Sequence, residues 1–205
     1  MGDIISYVYE FGGFTFAEKP FCEVDGLLFS HFSYFLLDKI IPHIDDNKPA
    51  VFLCDAAQQM DWHNFISVKW ELEKNRELFY KAAFSRRYRN TKVNYFLEEM
   101  NVDEGVQFCA VTFMLGNGDV FVSFRGTDDA LVGWKEDFYM AYRTPVGAQL
   151  KSTAYLNRVA KLLARKRNLR FYLGGHSKGG NLAVYAAMTC EDDIKPRIGR
   201  IFNMD

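Results

Sequence analysis

Apolar and polar positions in the second half of the chain change their spacing several times, and each change marks the boundary of a predicted element. Runs of apolar and β-branched residues bounded by Gly, Asn and Asp predict strands, whereas apolar residues three and four positions apart predict amphipathic helices. The pattern therefore predicts a strand at 106–115, a hairpin turn at 116–119, a strand at 120–124, a helix at 147–166, a strand at 169–173, a helix at 181–190 and a strand at 198–204.

The first hundred residues show mainly helical spacing. Asp25 can cap a helix that runs to about Lys39, since leucine and phenylalanine recur there on one face. The same pattern would suit a lid over an acyl-binding cleft, but packing against the core is the more common role of such a helix, and we favour it. Further helices are predicted at 61–84 and at 92–99.

Strands that alternate with helices predict an α/β fold, with a mostly parallel sheet and helices on both of its faces. We expect one domain over residues 1–205, with a mostly helical N-terminal part at 1–104 and a strand–helix core at 105–205. The chain stops at the end of a predicted strand, so we expect the fold to be incomplete at its C-terminus.

Composition narrows the classes of function. Hydrophobic residues make up 49% of the 205 positions, enough to bury one substantial core. A net charge of −1 gives no electrostatic basis for binding nucleic acid. The longest apolar run, at 27–37, contains His31 and is too short for a transmembrane segment. No metal-binding or dinucleotide-binding motif occurs, so neither a metal nor a cofactor is expected. Well-separated cysteines and the lack of a secretory signal favour the cytoplasm.

The most informative stretch is 168–187, where a short strand passes through a glycine-rich turn into an alanine-rich helix. Ser177 lies at the tip of this turn, which we interpret as a nucleophile elbow. Such a turn holds its central residue in a rare backbone conformation and brings neighbouring backbones close together, which explains Gly175 and Gly179. The free N–H groups of the following helix can stabilise an oxyanion. A phosphate-binding turn is the alternative, but the position of Lys178 before Gly179 does not fit the Walker spacing.

Two sequence blocks carry a family resemblance. The first is Val122-Ser123-Phe124-Arg125-Gly126-Thr127, followed by Trp134 and Asp137, and the second is Gly175-His176-Ser177-Lys178-Gly179-Gly180. Together they resemble the class 3 lipase branch of the α/β-hydrolase superfamily. Lipases usually have leucine at position 178, and Lys178 makes the chain more similar to an uncharacterised bacterial group of lipase-3-like proteins. The resemblance reaches residues 24–27 and 33–34, so it covers nearly the whole chain.

The resemblance implies a catalytic role for three residues. Ser177 would attack the acyl carbon and form an acyl-enzyme. The backbone N–H groups of Thr127 and Lys178 would then hold the oxyanion.

Four further residues are expected to support this site. By resemblance, Arg125 and Asp137 are structural partners that pin the oxyanion loop, and Trp134 packs beneath it. His176 lies under the elbow, where the turn directs its ring away from the serine. The side chain of Lys178 could suggest a Ser–Lys mechanism, but adjacent side chains on a tight turn diverge and no Ser-x-x-Lys spacing occurs. We therefore expect a surface cation beside the site.

A serine nucleophile needs a base, and in this fold the acid and the histidine follow the serine along the chain. No histidine follows Ser177, and His31, His43 and His63 each have an ordinary structural interpretation. By resemblance, Asn203-Met204-Asp205 is the start of the family's Asn-x-Asp-Gly-Pro-Gly loop. The acid and the histidine are therefore expected further on.

Two functions are considered. The first is a carboxylic ester hydrolase acting on a small-molecule or lipid acyl ester, active in full-length form and inactive as these 205 residues. The second is a non-catalytic α/β-hydrolase-like binding or interaction module. A truncated sheet would leave a free edge near Ile201 that could pair with a second copy, so a homodimer is a further expectation.

Overall fold

The computed structural model describes residues 3–128, 131–165 and 169–204. In these residues six strands form one mixed sheet whose spatial order follows the chain. They are β1 (Val51–Phe52), β2 (Lys92–Asn101), β3 (Val106–Met114), β4 (Val120–Phe124), β5 (Phe171–His176) and β6 (Ile198–Met204). Neighbouring strands from β1 to β4 are antiparallel, whereas β4, β5 and β6 are parallel. The prediction of a mostly parallel sheet is therefore wrong, since antiparallel pairs outnumber parallel ones.

The main source of this error is the segment at 92–99, which is not a helix but part of β2. It pairs with β3, and a bulge between Asn94 and Leu97 interrupts the register. Tyr95, inside the bulge, has a φ of 59°. The bulge shifts the alternation of buried and exposed side chains, and a clean period of two is what identifies a strand in a sequence. The predicted hairpin of β3 and β4 and the predicted last strand are confirmed.

Seven α-helices accompany the sheet in the described residues. They are α1 (Ile4–Phe11), α2 (Glu23–Phe32), α3 (Leu53–Gln59), α4 (Leu72–Phe84), α5 (Leu131–Met140), α6 (Gly147–Leu162) and α7 (Lys178–Thr189). The predicted long helix corresponds to α6, and its predicted end at Lys166 lies outside the described residues, as do Asp129 and Asp205. None of the helices that the structure describes is both long and apolar enough to cross a lipid bilayer.

Each face of the sheet buries its own apolar cluster, because successive side chains along a strand point to opposite faces. On one face Phe113 of β3 packs against Phe29 and Phe32 of α2. On the other face Phe108 of β3 packs against Tyr155 of α6. The predicted α/β class, with helices on both faces, is confirmed. The core-packing role favoured for the first long apolar helix is also confirmed for α2.

The N-terminal helices differ from their predicted bounds. The helix predicted from Asp25 to about Lys39 is α2, and Cys22 rather than Asp25 occupies its capping position. Asp25 is the third residue of the helix, and its carboxylate accepts a hydrogen bond from the Cys22 backbone N–H at 2.9 Å. The helix predicted at 61–84 forms only over α4. The strands β1 and β2 also belong to this N-terminal part, so the sheet begins within the region predicted to be mostly helical.

A buried charge cluster fastens the N-terminal segment to the residues that follow α4. The carboxylate of Asp25 accepts hydrogen bonds from Arg87 Nε at 2.7 Å, from Arg87 Nη2 at 2.5 Å and from the Tyr88 hydroxyl at 2.5 Å. Arg87 also donates to the carbonyl oxygens of Lys19 at 2.9 Å and Pro20 at 3.3 Å. Both charged side chains are fully buried. Hydrogen bonds of this number and geometry are what allow a buried ion pair to offset the cost of its desolvation.

Candidate active site at the β5–α7 turn

Ser177 is the single residue between the end of β5 and the start of α7. Its φ of 54° and ψ of −132° lie in a sparsely populated region of backbone space for a residue with a side chain. A residue held in such a conformation costs about 1–3 kcal/mol, which the surrounding structure must supply. The Ser177 backbone N–H donates to the Met204 carbonyl at 3.4 Å, and its own carbonyl accepts from Gly180 at 2.8 Å. The tight strand-to-helix turn predicted from the sequence is present.

The glycines of this turn are required by close backbone contacts. A Cβ atom at position 175 would lie 2.2 Å from the carbonyl carbon of Gly179, and one at position 179 would lie 2.1 Å from the carbonyl oxygen of Phe124. Both distances are far below van der Waals contact, so a side chain would push α7 away from the ends of β4 and β5. The predicted need for Gly175 and Gly179 is confirmed.

A second loop, residues 125–128, lies opposite the serine. A Cβ atom at Gly126 would be 3.3 Å from the Cβ atom of Ser177 and 2.4 Å from the carbonyl oxygen of His176. Thr127 follows directly, and its hydroxyl donates to Asp137 Oδ2 of α5 at 2.6 Å. The loop and the turn therefore touch at Gly126, and α5 holds the residue next to that contact.

The same loop is fixed at both of its ends. Arg125 is buried and forms ion pairs with Glu98 of β2 and, at 3.6 Å, with Asp128. The other carboxylate oxygen of Asp128 accepts from Gln107 Nε2 of β3 at 2.5 Å. The supporting position predicted for Arg125 and Asp137 agrees with this geometry, since Arg125 anchors the loop to the sheet and Asp137 anchors it to α5.

Trp134 does not pack beneath the loop, which corrects the sequence prediction. Its side chain is 64% exposed on the outer side of α5. Gly133 faces the loop instead, because a Cβ atom there would be 2.7 Å from Thr127 Cγ2 and 2.2 Å from Gln107 Oε1. The backbone of α5 approaches the loop too closely for any side chain, and the adjacent tryptophan points to solvent.

Lys178 is also placed differently from its prediction as a surface cation. Its side chain is 1% exposed, and Nζ lies 3.0 Å from Glu136 Oε2 and 3.0 Å from the Gln107 carbonyl oxygen. Glu136 is equally buried and also accepts from the backbone N–H groups of Gln107 at 3.1 Å and Ala148 at 2.8 Å. The first turn of α7 packs under α5 and β3, so the lysine enters the interior and pairs there.

Two neighbouring acidic residues of α5 thus hold the two residues with the predicted oxyanion donors. Glu136 binds the side chain of Lys178, and Asp137 binds the side chain of Thr127. The positions of both backbone N–H groups consequently depend on one helix.

His176 is exposed and directs its ring toward Tyr34 rather than toward the serine. The two side chains approach at 3.4 Å between His176 Nδ1 and the Tyr34 hydroxyl. Burial raises the pKa of Tyr34 to about 12, so the phenol is neutral at pH 7. All four histidines of the chain lie in the described segments, and none of their rings forms a hydrogen bond with the Ser177 hydroxyl.

A pocket of about 330 Å³ lies next to the elbow, between the start of α1, α2 and the start of α4. His176 lines it together with His31 of α2, Trp70 and Asn75. His31 Nε2 is 2.6 Å from Asn75 Oδ1. Burial lowers the pKa of His31, partly opposed by the hydrogen bond to Asn75 and assisted by the nearby His176.

Sequence reasoning missed Glu136, Gln107 and the pocket around His31. One feature of the sequence could have indicated Glu136. Lys178 begins a helix rich in glycine and alanine, and a lysine in such a helix needs a carboxylate partner if the helix is buried. The pocket has no such signal. Its residues come from three separate segments, and only the packing of the helices brings them together.

These observations define an α/β protein in which a serine in a strained conformation occupies a strand-to-helix turn opposite an anchored loop. The chain belongs to the Mbeg1-like family, whose model matches residues 82–205. The matched segment includes Ser177, the loop at 125–128 and α5, whereas most of the pocket residues precede it. Comparison with curated proteins and with solved structures finds no significant match.

Proposed function

We propose that this chain carries the nucleophile and the oxyanion hole of a serine hydrolase of the α/β-hydrolase type, which cleaves an acyl ester through an acyl-enzyme on Ser177. The observation that carries the proposal is the backbone of Ser177, with a φ of 54° and a ψ of −132° between a strand and a helix. A strained serine at such a junction is typical of an activated nucleophile held out from the backbone. The motif resemblance to class 3 lipases supports the same assignment.

In this mechanism the carbonyl oxygen of the ester becomes negatively charged as Ser177 attacks. The backbone N–H of Lys178 begins α7, where the free N–H groups and the helix dipole favour negative charge. The N–H of Thr127 would supply the second donor from the loop that meets the turn at Gly126. Each donor of this kind typically contributes about 100- to 1,000-fold in rate.

The general base and its acid are proposed to lie outside these 205 residues, because no histidine follows Ser177 in the sequence and none forms a hydrogen bond with its hydroxyl. The substrate class proposed is a small-molecule or lipid acyl ester, met in the cytoplasm. The 205-residue chain alone is expected to hydrolyse p-nitrophenyl esters at a rate near background.

The test is covalent labelling with a fluorophosphonate. The protein expressed from the complete gene should form an adduct that peptide mass spectrometry locates at Ser177, and Ser177→Ala should abolish it. Ser6→Ala is a matched control that removes an exposed serine in α1 and should label like the parent protein. Equal labelling of the parent and Ser177→Ala proteins would rule out the nucleophile.

A non-catalytic binding module is the second candidate, and the missing contact between any histidine ring and the Ser177 hydroxyl favours it. A protein of this kind would bind a ligand near Ser177 without reacting with the fluorophosphonate. Pairing of the edge strand β6 with a second copy remains a prediction for either candidate. Light scattering of the purified protein would measure its mass in solution and so distinguish a monomer from a dimer.

A further inference from the structure

The pocket beside the elbow is a better candidate for a ligand site than the wider depression on α4. Its walls include Ile4, Ile5 and Leu27, and His176 places it next to Ser177 in the chain. A wider depression of about 580 Å³ on α4 contains no residue of the turn or of the loop at 125–128. Pockets for small molecules are mostly apolar with a few fixed polar groups, and the pocket beside the elbow has this composition.

His31 is the fixed polar group of that pocket, and its proton can be assigned from its neighbours. Asn75 Nδ2 donates to the Trp70 carbonyl at 2.9 Å, which turns Asn75 Oδ1 toward His31 Nε2. An amide oxygen can only accept, so Nε2 carries the proton. Because burial lowers the pKa of His31, the ring is neutral at pH 7 and Nδ1 is an acceptor. Nδ1 forms no hydrogen bond with any residue that the structure describes.

We propose that this pocket binds a free apolar alcohol, the product that cleavage of the ester at Ser177 would release, with the alcohol hydroxyl donating to His31 Nδ1. The link to the ester rests on the proposed hydrolase function, whereas binding of the alcohol does not require it. The pocket volume of about 330 Å³ lies at the lower end of the range typical of small-molecule sites.

The acceptor on His31 favours an alcohol over an acyl chain. An acyl chain has no hydrogen-bond donor, so it would displace water from Nδ1 and leave that atom unpaired, which is unfavourable. An alcohol supplies the missing O–H while its hydrocarbon part contacts the apolar walls.

The charges around the pocket favour a neutral ligand. Asp3, Glu71 and Lys74 line it, and the two carboxylates outnumber the single ammonium group. Lys74 is already paired with Glu71 at 3.0 Å. A fatty acid carboxylate would therefore meet a surplus of negative charge, whereas an alcohol would not.

The experiment compares 1-octanol with octyl methyl ether, because the ether keeps the oxygen and lacks the donor. Tryptophan fluorescence reports binding, since the Trp70 and His31 rings lie 5.6 Å apart, and the signal should vanish in Trp70→Phe. We expect 1-octanol to bind about three- to tenfold more tightly than the ether, as one hydrogen bond allows. His31→Leu should remove this difference, and octanoate should bind more weakly than 1-octanol.

Two variants of equal size test whether the site is the pocket itself. Leu27→Tyr fills it and should abolish 1-octanol binding, whereas Leu150→Tyr enlarges an exposed leucine of α6 and should have no effect. Circular dichroism confirms that both variants fold. Equal affinity for the alcohol and the ether, or unchanged binding in Leu27→Tyr, would overturn the proposal.

Binding and fluorophosphonate labelling, both measured on the protein expressed from the complete gene, separate the two proposals. Labelling of Ser177 without 1-octanol binding would reject the alcohol pocket and keep the hydrolase. Binding of 1-octanol without labelling would keep the pocket and reject the hydrolase.

Discussion

Replacing Lys178 with leucine, the residue that class 3 lipases usually carry there, removes the buried cation next to Ser177 and leaves the carboxylate of Glu136 in the interior. Breaking a buried ion pair at one partner typically costs about 3–5 kcal/mol. Glu136 keeps two backbone donors, Gln107 at 3.1 Å and Ala148 at 2.8 Å, so the expected loss is near the lower end, about 3 kcal/mol. For a domain of this size that corresponds to a fall of about 6–12 °C in Tm.

Urea denaturation of four proteins measures this loss: the parent, Lys178→Leu, Glu136→Gln and the double variant. In the double variant no charge is buried without a partner, and the neutral amide oxygen can still accept from Ala148. We therefore expect the double variant to be more stable than the sum of the single losses predicts, by about 1–3 kcal/mol.

Lys161→Leu is the matched control, because it also breaks a lysine–glutamate pair, but one that lies on the surface. Lys161 Nζ is 2.6 Å from Glu191 Oε1, closer than Lys178 is to Glu136, but the lysine side chain is 68% exposed. The expected loss is only about 0–1 kcal/mol, since solvent screens exposed pairs. Two results would refute the conclusion that burial makes the Lys178–Glu136 pair important for stability. One is an equal loss of unfolding free energy in Lys178→Leu and Lys161→Leu, and the other is strictly additive losses in the double variant.

Three further predictions concern the oxyanion loop, the N-terminal anchor and pH. Thr127→Ala keeps the backbone N–H but loses the hydrogen bond to Asp137 that holds the residue in place. Fluorophosphonate labelling should therefore slow, at most by the roughly 100- to 1,000-fold that loss of a donor costs, with little change in Tm, whereas Thr127→Ser should label at nearly the parent rate. Asp25→Ala leaves the buried Arg87 charge without its carboxylate and should cost about 3–5 kcal/mol in urea denaturation; a loss below 1 kcal/mol would contradict the role of this cluster as an anchor. The pKa of His31 is lowered below 6.5 in the folded state, so the unfolded chain takes up the proton first as pH falls, and stability should drop as the pH passes below about 6.5. Between pH 7.5 and 5.5, the free energy of unfolding in urea should fall less steeply for His31→Gln than for the parent protein. Parallel curves for the two proteins would show that His31 does not contribute to the pH dependence.

The sequence predicts best where local spacing and turn chemistry agree. The hairpin at 106–124 has a strong turn of Gly and Asn between two apolar runs, and the strand at 198–204 matches its predicted bounds. The turn at Ser177 was predicted for the same reason, because close backbone contacts at Gly175 and Gly179 leave a local signature of small residues.

The wrong predictions concern features that are determined by contacts between residues distant in the sequence. The bulge in β2 breaks the alternation that would mark a strand, and without β2 the sheet looks mostly parallel. Trp134 is exposed because Gly133 faces the loop, and nothing in the sequence fixes that rotation of α5. The burial of Lys178 depends on Glu136, which lies 42 residues earlier in the chain.

The adjacency of Glu136 and Asp137 on one helix has a consequence for how this region can change. A rigid rotation of α5 about its axis would carry both carboxylates with it, and the grips on residues 127 and 178 would loosen together. The side-chain contacts of Thr127 and Lys178 are therefore coupled through α5, and a change in the position of this helix would alter both contacts together.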